Sequence, residues 1–305
     1  MSPRILVTGG LGFIGSRVSG ALLDEGARVR VVDDLSGAYA PDTGPATARE
    51  LAARGAEVRI GRAAPALLHG VDAVIHLAAL PGVRTRRAPS ALHEANVLPT
   101  ESMVRAARAH GIRFVLVSSS SVYGNAPELP TPEHAPMAPL NPYAASKVAA
   151  EAVVREEGAD AVIVRPFTVY GPGQRPEMAF ARWIDLLAAQ QPLPWYAPPG
   201  TARDFTYVDD AVAGILAAMR HGRAGEAYNL SGWRSVELRA ALGMIEEAVG
   251  CRASLLTGGG SGAEAHVTEG CPRKAAVELG YEPRVDLASG IERQLAAATP
   301  RRLAV

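Results

Sequence analysis

Thr8-Gly9-Gly10-Leu11-Gly12-Phe13-Ile14-Gly15 decides how the chain is read. The run entering it, Arg4-Ile-Leu-Val-Thr8, is rich in β-formers. The run leaving it carries Val18, Leu22 and Leu23 at helical spacing and stops at Gly26. Val29 to Val32 reads as a second strand, with Asp33-Asp34 at its end. Strand, glycine turn, helix, strand, acid is the opening unit of a Rossmann fold, a doubly wound parallel sheet that binds a dinucleotide. Gly9 permits the tight turn, Gly12 lets the backbone approach a pyrophosphate, and Gly15 lets the helix lie close to the strand. The helix N-terminus offers N–H groups and positive dipole to the phosphates. The spacing is GxxGxxG rather than GxGxxG. Asp33 is placed to take the adenosine ribose hydroxyls. A carboxylate there repels a 2′-phosphate, so the expected cofactor is NAD rather than NADP.

Further along, residues 36 to 56 read as a loop and a polar helix, and Val58 to Ile60 as a short strand. Val71 to Leu77 is a stronger strand ending in His76-Leu77-Ala78-Ala79, whose small residues leave room for a cofactor. One helix is expected from about Ser90 to His110, carrying Asn96. Phe114 to Val117 is a strand followed at once by four serines, Ser118 to Ser121. Hydroxyls at the C-terminal end of a parallel strand point into the ligand crevice. Asn141-Pro142-Tyr143-Ala144-Ala145-Ser146-Lys147 opens a helix to about Glu156, with Pro142 in its first turn. Tyr143 and Lys147 then share one helix face. A nearby cation favours the phenolate, so Lys147 is expected to lower the pKa of Tyr143 and fit it for proton transfer.

After the strand at Ala161 to Val164 the strand–helix alternation breaks. Helices are expected at Trp183–Ala189, after Tyr207, near 235–249 and near 284–297, with a proline-rich loop from Pro192 to Gly200 and a glycine-rich one at 258–262. The expected division is 1–167 with 206–231 as the NAD-binding domain, and 168–205 with 232–305 as a smaller, interleaved α/β domain for substrate.

The bounds agree with an enzyme of small molecules. The 305 residues are 48% hydrophobic and carry zero net charge, enough for a sizeable core and unlike a nucleic-acid binder. Cys251 and Cys271 form no disulfide framework, which points to a reducing, cytoplasmic setting. No apolar run reaches membrane-spanning length; Ile5 to Ile14, preceded by Arg4, resembles a weak signal peptide but is broken by glycines and is expected to be the glycine turn instead. No metal is expected.

Taken together, Thr8–Gly15, Asp33, His76–Ala79, Ser119, Tyr143 and Lys147 resemble an extended short-chain dehydrogenase/reductase acting on nucleotide sugars. Gly82-Val83-Arg84, Phe167-Thr168-Val-Tyr-Gly-Pro with Arg175-Pro-Glu-Met178, and Arg203-Asp-Phe-Thr-Tyr207 are most similar to UDP-glucuronate 4-epimerases. The resemblance implies NAD held by Gly9, Gly12, Phe13, Ile14, Gly15, Asp33, Leu77, Ala78, Ala79, Asn96, Tyr143 and Lys147. It implies Ser119, Tyr143 and Lys147 as catalytic residues. Arg84, Ser119, Ser120, Ser121, Thr168, Arg175 and Arg203 would bind a UDP-sugar, in a homodimer formed by helices near 92–109 and 143–157. The expected reaction is inversion at carbon 4 through a 4-keto sugar. A 4,6-dehydratase needs an Asp-Glu pair where Ser120 and Ser121 stand, and decarboxylating relatives usually place a Glu at Ser121. Neutral UDP-hexose epimerases commonly have Asn at Thr168. A silent NAD-binding regulator would be expected to have lost Tyr143 or Lys147. Two positions depart from the family: Gly61-Arg62-Ala63-Ala64 lacks the acid that commonly holds adenine, and Cys271 fills a usual Asp position before Lys274-Ala275.

Overall fold

The computed structural model describes residues 2–36, 42–82, 87–258 and 264–298. In chain order its elements begin β1 (Arg4–Thr8), α1 (Phe13–Asp24), β2 (Arg28–Asp33), α2 (Thr43–Ala53), β3 (Glu57–Ile60), β4 (Ala73–His76), α3 (Pro89–Asn96), α4 (Leu98–Ala109), β5 (Arg113–Val117), α5 (Pro142–Glu157), β6 (Ala161–Pro166) and β7 (Thr168–Tyr170). They continue with α6 (Ala179–Ala188), β8 (Leu193–Trp195), β9 (Ala202–Tyr207), α7 (Val208–His221), β10 (Ala227–Leu230), β11 (Ser235–Glu237), α8 (Leu238–Val249), β12 (Leu255–Thr257), α9 (Arg273–Leu279) and α10 (Leu287–Ala298). No helix among the described residues is long and apolar enough to cross a membrane.

Seven parallel strands form the main sheet in the order β10-β6-β5-β4-β1-β2-β3. The order reverses between β1 and β4, where Thr8 lies opposite His76, and ligands of such sheets bind outside the strand ends at that reversal. Strands covered on both faces read as near-continuous apolar runs, and β4 and β6 are buried along their whole length. One face packs Val7, Val31, Ile75 and Val164 against Val18 and Leu22 of α1 and Ile215 of α7. The other packs Leu6, Val74, Phe114 and Ile163 against Met103 and Val104 of α4 and Val154 of α5.

Where one helix was expected across residues 90–110, two occur, α3 and α4, meeting at Val97. Pro99 has no N–H to give to the preceding turn, so the first helix cannot run through it. Beyond β6, two small sheets (β11-β9-β7 and β12-β8) join α6, α8 and α10 around Phe180, Trp183, Phe205 and Ile245.

Two buried carboxylates tie this framework together. Glu151 of α5 and Arg165 of β6 are 0% and 1% exposed, and Arg165 Nε and Nη2 donate to the two Glu151 oxygens at 2.9 and 2.6 Å. Arg165 Nη1 also donates to Tyr123 Oη and the Glu133 carbonyl. Removing one partner of such a pair strands a buried charge, at a cost of about 3–5 kcal/mol. Asp204 of β9 accepts from Gly232 N at 2.6 Å and Gly270 N at 3.0 Å. One carboxylate thereby fastens three segments: β9 as it leads into α7, the exit of β10, and the approach to α9.

Burial pushes the Asp204 carboxyl up to about 6, against the pull of its two N–H donors. A raised carboxyl contributes stability that is complete below its unfolded value near 4 and is lost as pH rises through about 6. Wild type should therefore gain on Asp204→Asn by roughly 2–3 kcal/mol between pH 7 and pH 4 in urea unfolding, other carboxylates cancelling in the comparison. A stability difference that is flat with pH would contradict this.

Candidate functional site at the strand ends

The glycine turn is shaped by contacts that leave no room for side chains. Gly9 has φ +67°, and a Cβ there would lie 2.8 Å from Ala78 N; one on Gly15 would lie 2.1 Å from the Gly9 carbonyl oxygen. No side chain caps α1 at Gly12. A helix N-terminus of this kind suits a ligand's phosphates. Asp33 Oδ2 accepts from Leu11 N at 3.1 Å and Oδ1 from Leu35 N at 2.9 Å, so the acid also braces the turn. Burial raises its pKa, and those two bonds oppose the rise. Phe13 is buried and Ile14 half-buried. These residues fit a dinucleotide.

The neighbouring strand end is organised by a buried imidazole. Thr100 Oγ1 donates to the Asn96 carbonyl at 2.7 Å, so it must accept from His76 Nε2 at 3.1 Å. That leaves His76 Nδ1 to accept from Thr8 Oγ1 at 2.8 Å, and Thr8 Oγ1 to accept from Ala78 N at 3.2 Å. Burial, with the Lys147 charge beside it, pushes His76 down to about 3, in keeping with this neutral tautomer. Leu77, Ala78 and Ala79 follow, half-buried. Asn96, read as a cofactor residue, has its amide engaged by protein: Oδ1 accepts from Leu80 N at 2.7 Å, and Nδ2 donates to Leu80 O at 3.1 Å and Ser146 Oγ at 2.9 Å. Ser146 Oγ donates on to the Tyr143 carbonyl at 2.7 Å. Asn96 therefore joins the strand-end loop to the helix that bears Tyr143.

That helix starts sharply. Asn141 Oδ1 accepts from Ala144 N at 2.9 Å, Pro142 fills the first turn, and Gly158 closes the far end in the left-handed region. Of the four serines, Ser118 is structural and donates to Glu151 at 2.6 Å. Ser119 Oγ accepts from Ser121 N at 3.2 Å and Ser121 Oγ at 2.9 Å. Ser119 is in turn hydrogen-bonded to the Tyr143 phenol. The hydroxyls thus form a chain of donors ending on Tyr143. Ser120 is half-buried beside them.

The charge balance at Tyr143 differs from expectation. Burial raises the phenol's pKa, and the counterweights are the charge of Arg175 and the bond from Ser119. Lys147, expected to be that cation, turns its ammonium to the Val117 carbonyl at 2.9 Å. Burial pulls Lys147 down to about 8, with the Glu151 charge acting the other way. Arg175 is mostly buried and pairs with Glu177 at 3.3 Å. Thr168 begins β7, opposite Phe205. Arg203 of β9 donates to the Ala202 and His266 carbonyls and pairs with Glu264 at 3.2 Å. Arg84 lies outside the described residues, as does most of the 258–262 loop. At the adenine end, Gly61 takes φ +151°, and Arg62 lies 3.9 Å from Asp34.

Sequence reasoning missed Asn141, His76 as a structural hub, and Glu151. Only the Asn-Pro pair before a helical run carried a local signal, that of an N-cap.

A doubly wound sheet with a phosphate-ready turn, and a Tyr–Lys helix against a serine-lined strand end, define a nucleotide-cofactor enzyme of the dehydrogenase/reductase type. The chain belongs to the NAD dependent epimerase/dehydratase family, whose model matches residues 5–231. It is 34% identical to an uncharacterized UDP-glucose epimerase, YtcB, of Bacillus subtilis, over 96% of this chain and 97% of that protein. It is also 34% identical to a dTDP-glucose 4,6-dehydratase of Streptomyces griseus, over 95% of this chain and 92% of that protein. Among solved structures, UDP-glucuronic acid 4-epimerase from Bacillus cereus in complex with UDP-glucuronic acid and NAD superposes with TM-score 0.92 at 30% identity, covering 98% of this chain and 99% of that one. NAD is the family's cofactor.

Arg175→Gln removes the charge that pulls the Tyr143 phenol down. The Tyr143 absorbance titration, taken as the difference from the matching Tyr143→Phe protein, should move to higher pH. An unmoved midpoint would show that Arg175 does not tune Tyr143.

Proposed function

We propose that the chain is an NAD-dependent nucleotide-sugar 4-epimerase whose substrate is UDP-glucuronate and whose product is UDP-galacturonate. One observation carries the reading. The donor chain from Ser121 through Ser119 to Tyr143 contains hydroxyls only, and Ser120 and Ser121 stand where elimination of water would need an acid and a base. Serine hydroxyls do neither near neutral pH. This supports the epimerase over the dehydratase, although relatives of both kinds are equally similar.

Bound NAD supplies the capacity to take a hydride from carbon 4 and return it. Tyr143 accepts the proton of the 4-hydroxyl and later gives it back. Ser119 orients the same oxygen, and Arg175 favours the ionised phenol. A 4-keto uronate is a β-keto acid and decarboxylates when its carboxylate aligns with the ketone. Ser119, Ser120, Ser121 and Thr168 restrain that carboxylate, with Arg175 as a charge-assisted partner. Arg203 serves the diphosphate. Residues 168–205 and 232–305 form the substrate-binding part, and 1–167 with 206–231 the NAD-binding part. The reading includes a homodimer through α3, α4 and α5, where Leu98 is exposed.

The test is incubation of purified protein with UDP-glucuronate and NAD, followed by NMR. UDP-galacturonate should accumulate without carbon dioxide or net NADH, and Tyr143→Phe should lose at least about 100-fold in rate, the usual worth of a proton-transfer group. A pentose product with carbon dioxide would replace the reading with a decarboxylase. Conversion of dTDP-glucose alone, to a 4-keto-6-deoxy sugar, would replace it with a dehydratase.

A further inference from the structure

Glu151 and Lys147 lie one turn apart on the same face of α5 and grip adjacent residues of one strand end. Lys147 Nζ donates to the Val117 carbonyl at 2.9 Å, and Glu151 Oε1 accepts from Ser118 Oγ at 2.6 Å. Ser119 follows directly. Both side chains are buried, Lys147 at 5% exposure. An ammonium in such a place tends to shed its proton or turn outward unless an opposite charge is near.

The surrounding groups narrow the source of that charge. His76 of β4 is neutral by its hydrogen bonds, and Tyr143 is a neutral phenol in this state. Arg165 of β6 and Arg175 beyond β7 are cations and supply no counter-charge. Glu151 remains the carboxylate that acts on it. Burial disfavours its ionised form, but Arg165, Ser118 and Arg155 outweigh this and hold its pKa below the ordinary value.

We propose that Glu151 is a positioning residue: its buried carboxylate is the counter-charge that holds the Lys147 ammonium against the end of β5, one turn from Tyr143. Arg165 in turn keeps Glu151 ionised, so cation, anion and cation follow one another from β6 to the site. The proposal rests on Lys147 serving the site as read above, but its test needs neither substrate nor NAD.

The chain has only two lysines, Lys147 and Lys274. Selective ¹³C labelling of lysine therefore gives two side-chain titrations in the intact protein, and Lys274, paired with Glu226 at 2.6 Å, is an internal reference. In Glu151→Gln, Lys147 should lose about tenfold or more in proton affinity while Lys274 is unchanged. The double variant Glu151→Gln with Arg165→Met removes both buried charges, which favours retention of the fold. It should lower Lys147 as the single variant does, since Glu151 is the charge that acts on it. An unchanged Lys147 titration in either folded variant overturns the proposal. Loss of the fold in both assigns the pair to stability alone and overturns it equally. For turnover, the alkaline limb of the pH profile should move to lower pH in Glu151→Gln; failure of the epimerase reading would leave the lysine titrations standing.

Discussion

The site depends on a buried ion pair between a helix and a strand. Glu151 and Arg165 are sealed from water, and each is held by further partners: Ser118 on the first, Tyr123 and the Glu133 carbonyl on the second. A pair of this kind gains little net stability over apolar residues of the same volume, but it tolerates only one geometry. That geometry fixes the rotation of α5 about its axis. With α5 fixed, Tyr143, Ser146 and Lys147 are aimed at the ends of β4 and β5. The Asn96 amide secures the other side of the helix through Ser146. The two attachments are independent, which suits a helix that must place a phenol to within a fraction of an ångström.

Electrostatics at the strand end follow from burial. Tyr143 and Lys147 both resist their charged forms there, and the opposing influences come from outside the pair: Arg175 and Ser119 for the phenol, Glu151 for the ammonium. A charged ligand in the crevice changes these balances, and the basicity of the phenol with them.

Much of this was legible in the chain itself, for physical reasons that differ by residue. Gly9, Gly12 and Gly15 are legible because a tight turn with close backbone contacts excludes side chains, and Asp33 because it follows a strand at fixed distance. Tyr143 and Lys147 are legible because helical periodicity puts them on one face. The direction of the Lys147 ammonium was not, since periodicity gives a face but no target; it went to Val117, and Arg175 took the expected role. Glu151 lies four residues before Arg155, a helical spacing, and does approach it at 3.4 Å. Its main partner is on a strand, and no local pattern encodes that. β7, β8, β11 and β12 were missed as strands because three residues carry no period. Asp204 was hidden behind the more conspicuous Arg203.

The central claim is that a serine-lined strand end lets a keto sugar form and return without elimination or loss of carbon dioxide. The most direct measurement is the reaction of UDP-glucuronate in deuterated water, with the product's carbon–hydrogen positions read by NMR. The account predicts UDP-galacturonate free of solvent deuterium at carbons 4 and 5, because the hydrogen leaving carbon 4 returns to it and no base acts at carbon 5. Deuterium at carbon 5 would contradict it, showing that a proton-abstracting group reaches that carbon.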